Sequence, residues 1–192
     1  MKFINDTTWE DVFAGWRDRE ATNPGWIRCA NEKGWPDWES WRRFTASQIG
    51  ADKREWKIFE FAEPVEEIPK MLLGPYSGWQ SRVSKKNSSS FEDLLDIPEQ
   101  LEFFGKHEGV LSMLNGLPFT TEFIGLVRED SDKVVCIEGH HRATAIALAK
   151  RQGKQIDWSG AKITIALARI PAAGCLLFDE VAKRGMSKNP KA

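Results

Sequence analysis

This 192-residue chain is short of cysteine. Its three, Cys29, Cys136 and Cys175, form no Cys-x-x-Cys pair and lie far apart, which excludes a disulfide framework and a zinc knuckle and leaves small buried apolar side chains. Long apolar runs are also lacking. No stretch approaches a membrane span, and Met1-Lys2-Phe3-Ile4-Asn5-Asp6 has none of the apolar length of a signal peptide, so a cytoplasmic protein without membrane contact is expected. Excess charge is a third absence: 27 Lys plus Arg against 28 Asp plus Glu provide no global positive field to gather nucleic acid, so strong nucleic-acid binding is not expected. Histidine is scarce too. His140 and His141 are adjacent and His107 is the remaining one, a spacing that fits no common zinc site, so no protein-held metal is expected. No segment repeats.

What is present suffices for one good-sized core, with 41% hydrophobic and 29% charged residues. Residues 7 to 52 are helical in pattern and hold six of the nine tryptophans. Thr7 and Glu10 fit a capping box, and Trp9, Val12, Phe13 and Trp16 follow the spacing of one helix face. Asn23-Pro24 opens a second helix that ends near Gly34, and Pro36 opens a third carrying Trp38, Trp41 and Phe44. Such aromatics could stack bases, yet helical spacing favours a packed mini-core. The charges between them, Arg17, Asp18, Arg19, Glu20, Arg42 and Arg43, are expected on solvated faces. The segment 1–54 is therefore read as a helical, Trp-rich N-terminal module that could meet a protein partner.

Glu55 to Phe61 alternates as a strand and Pro64 stops it. Pro64 to Leu73 carries a turn or short helix, and the glycine-rich loop from Gly74 to Arg82 offers two candidate ligand contacts, Gln80 and Arg82. Lys85 to Ser90 is linker-like and could form a mobile lid, with Ser90 and Asp93 capping the next helix. Helical patterns run through Leu94 to Phe104 and Val110 to Leu114. Phe119 to Arg128 and Lys133 to Ile137 read as a hairpin, Lys162 to Ile170 as a further strand, and Leu176 to Arg184 as a closing helix. The main domain spans 55–185, followed by a loose tail over 186–192.

The most informative segment is Val134 to Lys154. An apolar run meets Glu138-Gly139-His140-His141-Arg142, and an alanine-rich helix follows to Gly153. A glycine here permits a conformation or close approach closed to other residues, and the residues after it sit where free helix N–H groups attract anions. Arg142 can grip two phosphate oxygens, and His140 and His141 add donors. Phosphate is the ligand class to expect. The alternative is a purely structural turn, with one histidine as a cap and Arg142 paired to a surface carboxylate.

From about Phe59 to Ile170 the order of features resembles the ParB and sulfiredoxin superfamily. A first strand precedes the Pro75-Tyr76 and Gln80-Ser81-Arg82 loop, then come helices and a strand hairpin, and Gly139-His140-His141-Arg142-Ala143-Thr144-Ala145 opens a helix. The resemblance implies an α+β fold, a mixed sheet with packed helices, carrying the helical N-terminal segment as an extension. It also implies a nucleotide site over 138–144, with Gly139, His140, His141, Arg142 and Thr144 joined by Gln80 and Arg82. His140 stands where sulfiredoxins need a cysteine, which argues against their thiol chemistry. Only about twenty residues follow Ile170, too few for a helix-turn-helix domain.

The compact members remain, and the Gly-His-His-Arg turn is similar to that of free-serine kinases. That likeness implies ATP or ADP, with CTP an alternative, together with Mg²⁺ and a small hydroxyl acceptor such as serine. Glu138 and His141 would be catalytic, with Glu67 or its neighbour Glu66 as the first-loop carboxylate. Two other readings stand beside it: a DNA-associated domain, either nuclease or modification accessory, and a noncatalytic nucleotide sensor.

Overall fold

Apolar residues occupy both faces of the central strands, and that decides the architecture. The computed structural model describes residues 1–171 together with Phe178 and Asn189. In chain order the elements are β1 Lys2–Thr7, α1 Trp9–Glu20, α2 Pro24–Glu32, α3 Trp38–Gln48, β2 Trp56–Glu60, α4 Pro64–Glu67 and α5 Ser77–Gln80. Then follow α6 Phe91–Leu95, α7 Pro98–Phe104, α8 Glu108–Asn115, β3 Thr121–Arg128, β4 Val134–Glu138, α9 His140–Arg151 and β5 Ile163–Ile170. The arrangement is mixed α+β, and the five strands form one sheet in the order β1-β2-β5-β3-β4. The β3–β5 pair is parallel and the other pairs are antiparallel.

Alternate residues of β3, β4 and β5 face opposite ways. Ile124, Leu126, Val135, Ile137, Ala166 and Ala168 join a core with Trp9, Phe13, Trp16, Trp38 and Trp56. Phe123, Cys136, Ile163, Ile165 and Leu167 join another with Phe91, Phe104, Val110, Ile146 and Leu148. Each face needs its own cover, so helices α1–α3 form one layer and α4–α9 the other. Trp16 and Trp38 of the first layer are fully packed, as is Trp56 of β2.

The local signals for these helices are ordinary. Asn23 caps α2 through its side chain, Asp37 caps α3, and Ser90 with Asp93 makes the expected capping box on α6. The cap of α1 is Thr8, which accepts from the Asp11 N–H, one residue beyond the expected Thr7 and Glu10 pair.

Two expectations are revised. The first 54 residues are not helical throughout, because Lys2–Thr7 pairs with β2 as the outer strand of the sheet. Its side chains are largely exposed, so the apolar alternation that would announce a strand is missing. The stretch 85–90 is tied down: Gln80 accepts the Asn87 N–H at 2.8 Å, and the Leu73 N–H reaches the Ser89 carbonyl at 2.9 Å. The expected closing helix, Leu176 to Arg184, and the tail lie outside the described residues, apart from Phe178 and Asn189. Among the described residues no helix is long and apolar enough to cross a membrane.

Because α1–α3 cover one whole face of the sheet, a chain beginning at residue 55 is expected to expose Ile124, Leu126, Val135 and Ala166 to water. Its amide NMR spectrum should lose dispersion and it should bind a hydrophobic dye. Retention of a dispersed spectrum would show that the second layer folds alone.

Candidate functional site

The turn after β4 is built by a bulge and a glycine. Ile124 pairs with Glu138 and Gly125 with Cys136, which leaves Ile137 without a cross-strand partner. The Tyr76 hydroxyl donates to the Ile137 carbonyl at 2.8 Å and so satisfies it. Gly139 then takes φ +106°, where a Cβ would lie 2.3 Å from the Phe123 ring. No other residue fits that backbone, and from it α9 starts directly at His140. The N–H groups of His140, His141 and Arg142 form the first turn of α9, ahead of its first internal bond from the Ala143 N–H to Gly139.

His140 is buried and has a structural partner: its Nε2 accepts the Gly74 N–H at 3.0 Å. That bond assigns the ring proton to Nδ1, which faces Cys136 Sγ at 3.8 Å. Gly74 is glycine for the same reason, since a Cβ there would meet the Cys136 carbonyl at 2.2 Å and the His140 ring at 2.9 Å. Burial pushes the His140 imidazole down to about 3. His141 is held at about 4 by burial first, then by the neighbouring His107 and Arg82. It stacks on His107 with ring centroids 5.1 Å apart. Both rings of the turn are therefore neutral at neutral pH and bring no positive charge to an anion.

Arg142 is committed as well. Its guanidinium donates to Glu138 Oε1 and Thr121 Oγ1 and lies over the Phe123 ring. Glu138 in turn is nearly sequestered, and its second oxygen has no hydrogen bond but stands 3.7 Å from Arg19 Nη2. Burial pushes the Glu138 carboxyl up, while Arg142 opposes the shift. Arg19 also reaches Glu122 at 3.6 Å, so one cation from α1 bridges β3 and β4.

The N-terminal layer contributes a second cluster. The Arg42 guanidinium stacks 4.0 Å from the Trp41 ring centre and lies 5.0 Å from Trp26 and 5.1 Å from Trp16. Glu20 Oε2 accepts from Arg42 at 3.3 Å and from Trp16 Nε1 at 2.9 Å. This partly buried pair departs from the expectation of solvated charges.

Between the two clusters lies a cavity of about 540 Å³, beyond the C-terminal end of β4 where the two helix layers meet. Arg19, Lys33, Arg42 and Arg142 line it against Glu20 and Glu138, so with neutral histidines it carries a positive balance. Trp26, Trp41, Tyr76 and Trp79 supply its aromatic walls. A larger depression, about 640 Å³, sits beside the start of α1, but Asp6, Glu10, Asp52 and Glu55 on its rim outnumber Arg54 and Lys57. An anion is repelled there, which makes the first cavity the candidate site.

Of the expected site residues, Glu138, Gly139, His140, His141 and Arg142 are brought together at this cavity. Five others are not. Thr144 is fully buried and donates to the His140 carbonyl. Gln80 is buried and holds the Leu73 and Gly74 carbonyls, fixing the loop rather than facing a ligand. Arg82 donates to Gly78 and Gln100 and stacks on Phe103. Glu67 accepts from the Met1 amino group at 2.6 Å and the Glu63 N–H, and Glu66 pairs with Lys150 near the far end of α9. Arg19, Lys33, Trp26 and Arg42 also line the cavity; the sequence favoured Arg19 and Arg42 as solvated charges and the tryptophan cluster as a packed core, and it did not point to Lys33. The Arg42 signal was present: with Trp38, Trp41 and Thr45 it completes the buried stripe of α3.

Replacing Gly139 by alanine forces a side chain into the left-handed region, at a cost of about 1–3 kcal/mol from the backbone alone, before the collision with Phe123. Urea denaturation should show at least that loss. Acidification tests the histidines. The unfolded imidazole titrates near 6.5 while the folded ones resist protonation, so their contribution is complete above about 6.5 and drains as the pH falls toward 4. The melting temperature should drop across that window, and His141→Asn should flatten the slope.

The chain matches no family model, no curated protein and no solved structure.

Proposed function

We propose that the cavity binds a phosphate-bearing ligand of the nucleotide class, in a fold of the ParB and sulfiredoxin type. The observation that carries the reading is the positive, aromatic-walled cavity into which the first turn of α9 is built. The anionic group would meet the N–H groups of that turn together with Arg19 and Lys33, whose side chains are less committed than Arg142. Lys33 has only a cation–π contact with Trp41 at 5.6 Å among the described residues. Arg142 acts indirectly, by holding Glu138.

Glu138 favours a transferase over a passive binder. Its second oxygen is a buried acceptor without a hydrogen bond on a residue that lines the cavity, and burial raises its basicity above that of an ordinary carboxylate. In transfer to a small alcohol such as serine, the alcohol oxygen bonds to the terminal phosphorus of ATP. The bridging P–O bond breaks, the hydroxyl proton passes to Glu138, and ADP leaves. Among the described residues no three His, Cys, Asp or Glu side chains cluster as a metal ion needs. Magnesium would therefore arrive on the nucleotide phosphates, where it neutralises their charge. The balanced net charge weighs against a DNA-reading role.

Calorimetric titration with ATP, ADP and CTP in the presence of magnesium tests the reading. Saturable binding is expected, and the double variant Arg19→Ala, Lys33→Ala should weaken it about 10-fold or more, the worth of charge-assisted contacts. Glu138→Gln should retain binding while serine-dependent turnover falls. Binding without turnover in the unaltered protein would favour the sensor. Absence of binding would end the nucleotide reading.

A further inference from the structure

The aromatic half of the cavity contains more than a packed core requires. Trp26 and Trp79 are only partly buried, and Tyr76 is likewise half-buried beside the β4 turn, so aromatic surface is left open on the cavity. Trp26 and Trp41 come from the first helix layer, whereas Tyr76 and Trp79 come from the second. The cavity therefore has aromatic walls contributed from both sides.

A second observation concerns polarity. Trp41 Nε1 is a buried donor with no hydrogen-bond partner, on a residue that lines this cavity. Buried indole N–H groups nearly always find an acceptor, so this one lacks a partner that a ligand can supply. The missing group is an acceptor, and between aromatic walls a ring nitrogen or an exocyclic carbonyl of a flat ligand would supply it.

The same cluster excludes a competing occupant. Tryptophan cages commonly hold a ligand cation, but here the Arg42 guanidinium already occupies the cage and is neutralised by Glu20. What remains open is aromatic surface with a cation behind it, which suits a neutral, electron-rich ring.

We infer that Trp26, with Trp41 and Trp79, forms a ring subsite that takes the planar heteroaromatic base of the ligand, the Trp41 indole N–H donating to a ring acceptor. This rests on the nucleotide reading for the location of the phosphates at α9, but its own evidence is the aromatic walls and the orphan donor. The N-terminal layer then sets specificity for the base while the β4–α9 turn holds the anion.

Binding of ADP, adenosine and pyrophosphate to the full chain separates the two halves, read by calorimetry and by quenching of tryptophan emission. Trp26 is the residue to change, since it is partly exposed and its loss leaves the buried core intact; melting curves check folding. ADP is expected to bind more tightly than pyrophosphate. Trp26→Ala should weaken ADP about 10-fold, the usual loss on removing one stacking partner, while leaving pyrophosphate unchanged, and Trp26→Phe should restore most of the affinity. Equal affinity for ADP and pyrophosphate, or no effect of Trp26→Ala on ADP, would overturn the ring subsite and leave the phosphate reading standing. Binding of adenosine and ADP alike, both dependent on Trp26, with none of pyrophosphate, would support the ring subsite and remove the phosphate reading. If none of the three binds, both fall.

Discussion

Strands β5, β3 and β4 are apolar on both faces, and neither face can be left to water. Phe123 and Ile124, neighbours in β3, are each fully buried on opposite sides. Covering both sides requires two helix layers, and burying a large side chain contributes about 1.5–3 kcal/mol relative to exposure, so each layer is held by many such terms. The tryptophans of α1 and α3 are that cover on one face. The cavity follows from the same demand, because two layers wrapped around one sheet edge close on each other beyond β4.

Charge at that closure is arranged around one sequestered carboxylate. Glu138 would be costly to bury alone, and Arg142 from the next helical turn and Arg19 from the opposite layer offset it. The result ties α1 to the β4–α9 turn through a carboxylate that still has an acceptor to offer. Arg42 and Glu20 repeat the device a few residues away, with tryptophan faces in place of a second cation. Histidine, by contrast, is used here as a neutral acceptor and ring: His140 fixes the Gly74 loop to α9, and His141 packs against His107 and Trp79.

Much of the chain's order was legible beforehand. The hairpin of β3 and β4, the strand at 163–170 and the three aromatic helices followed from apolar period and capping residues, which act locally. β1 was not legible, because its partners lie 49 to 58 residues away and its own side chains are largely exposed. Gln80 and Arg82 looked like ligand contacts because a glycine-rich loop with polar side chains has the same composition whether it faces a ligand or stitches itself together. The hydrogen bonds from Gln80 to two carbonyls decided between these.

The sequence by itself determined the turn at Gly139, since a strand, a glycine and an alanine-rich helix in succession leave the backbone few alternatives and expose the helix N–H groups. Only the tertiary structure decided what that turn faces. Which groups line the cavity depends on contacts between residues a hundred or more positions apart, such as Arg19 with Glu138. So does the neutrality of His140, which is set by its burial and then by the neighbouring His141 and Arg42. Burial and charge pairing are properties of packed neighbours, and no local pattern encodes them.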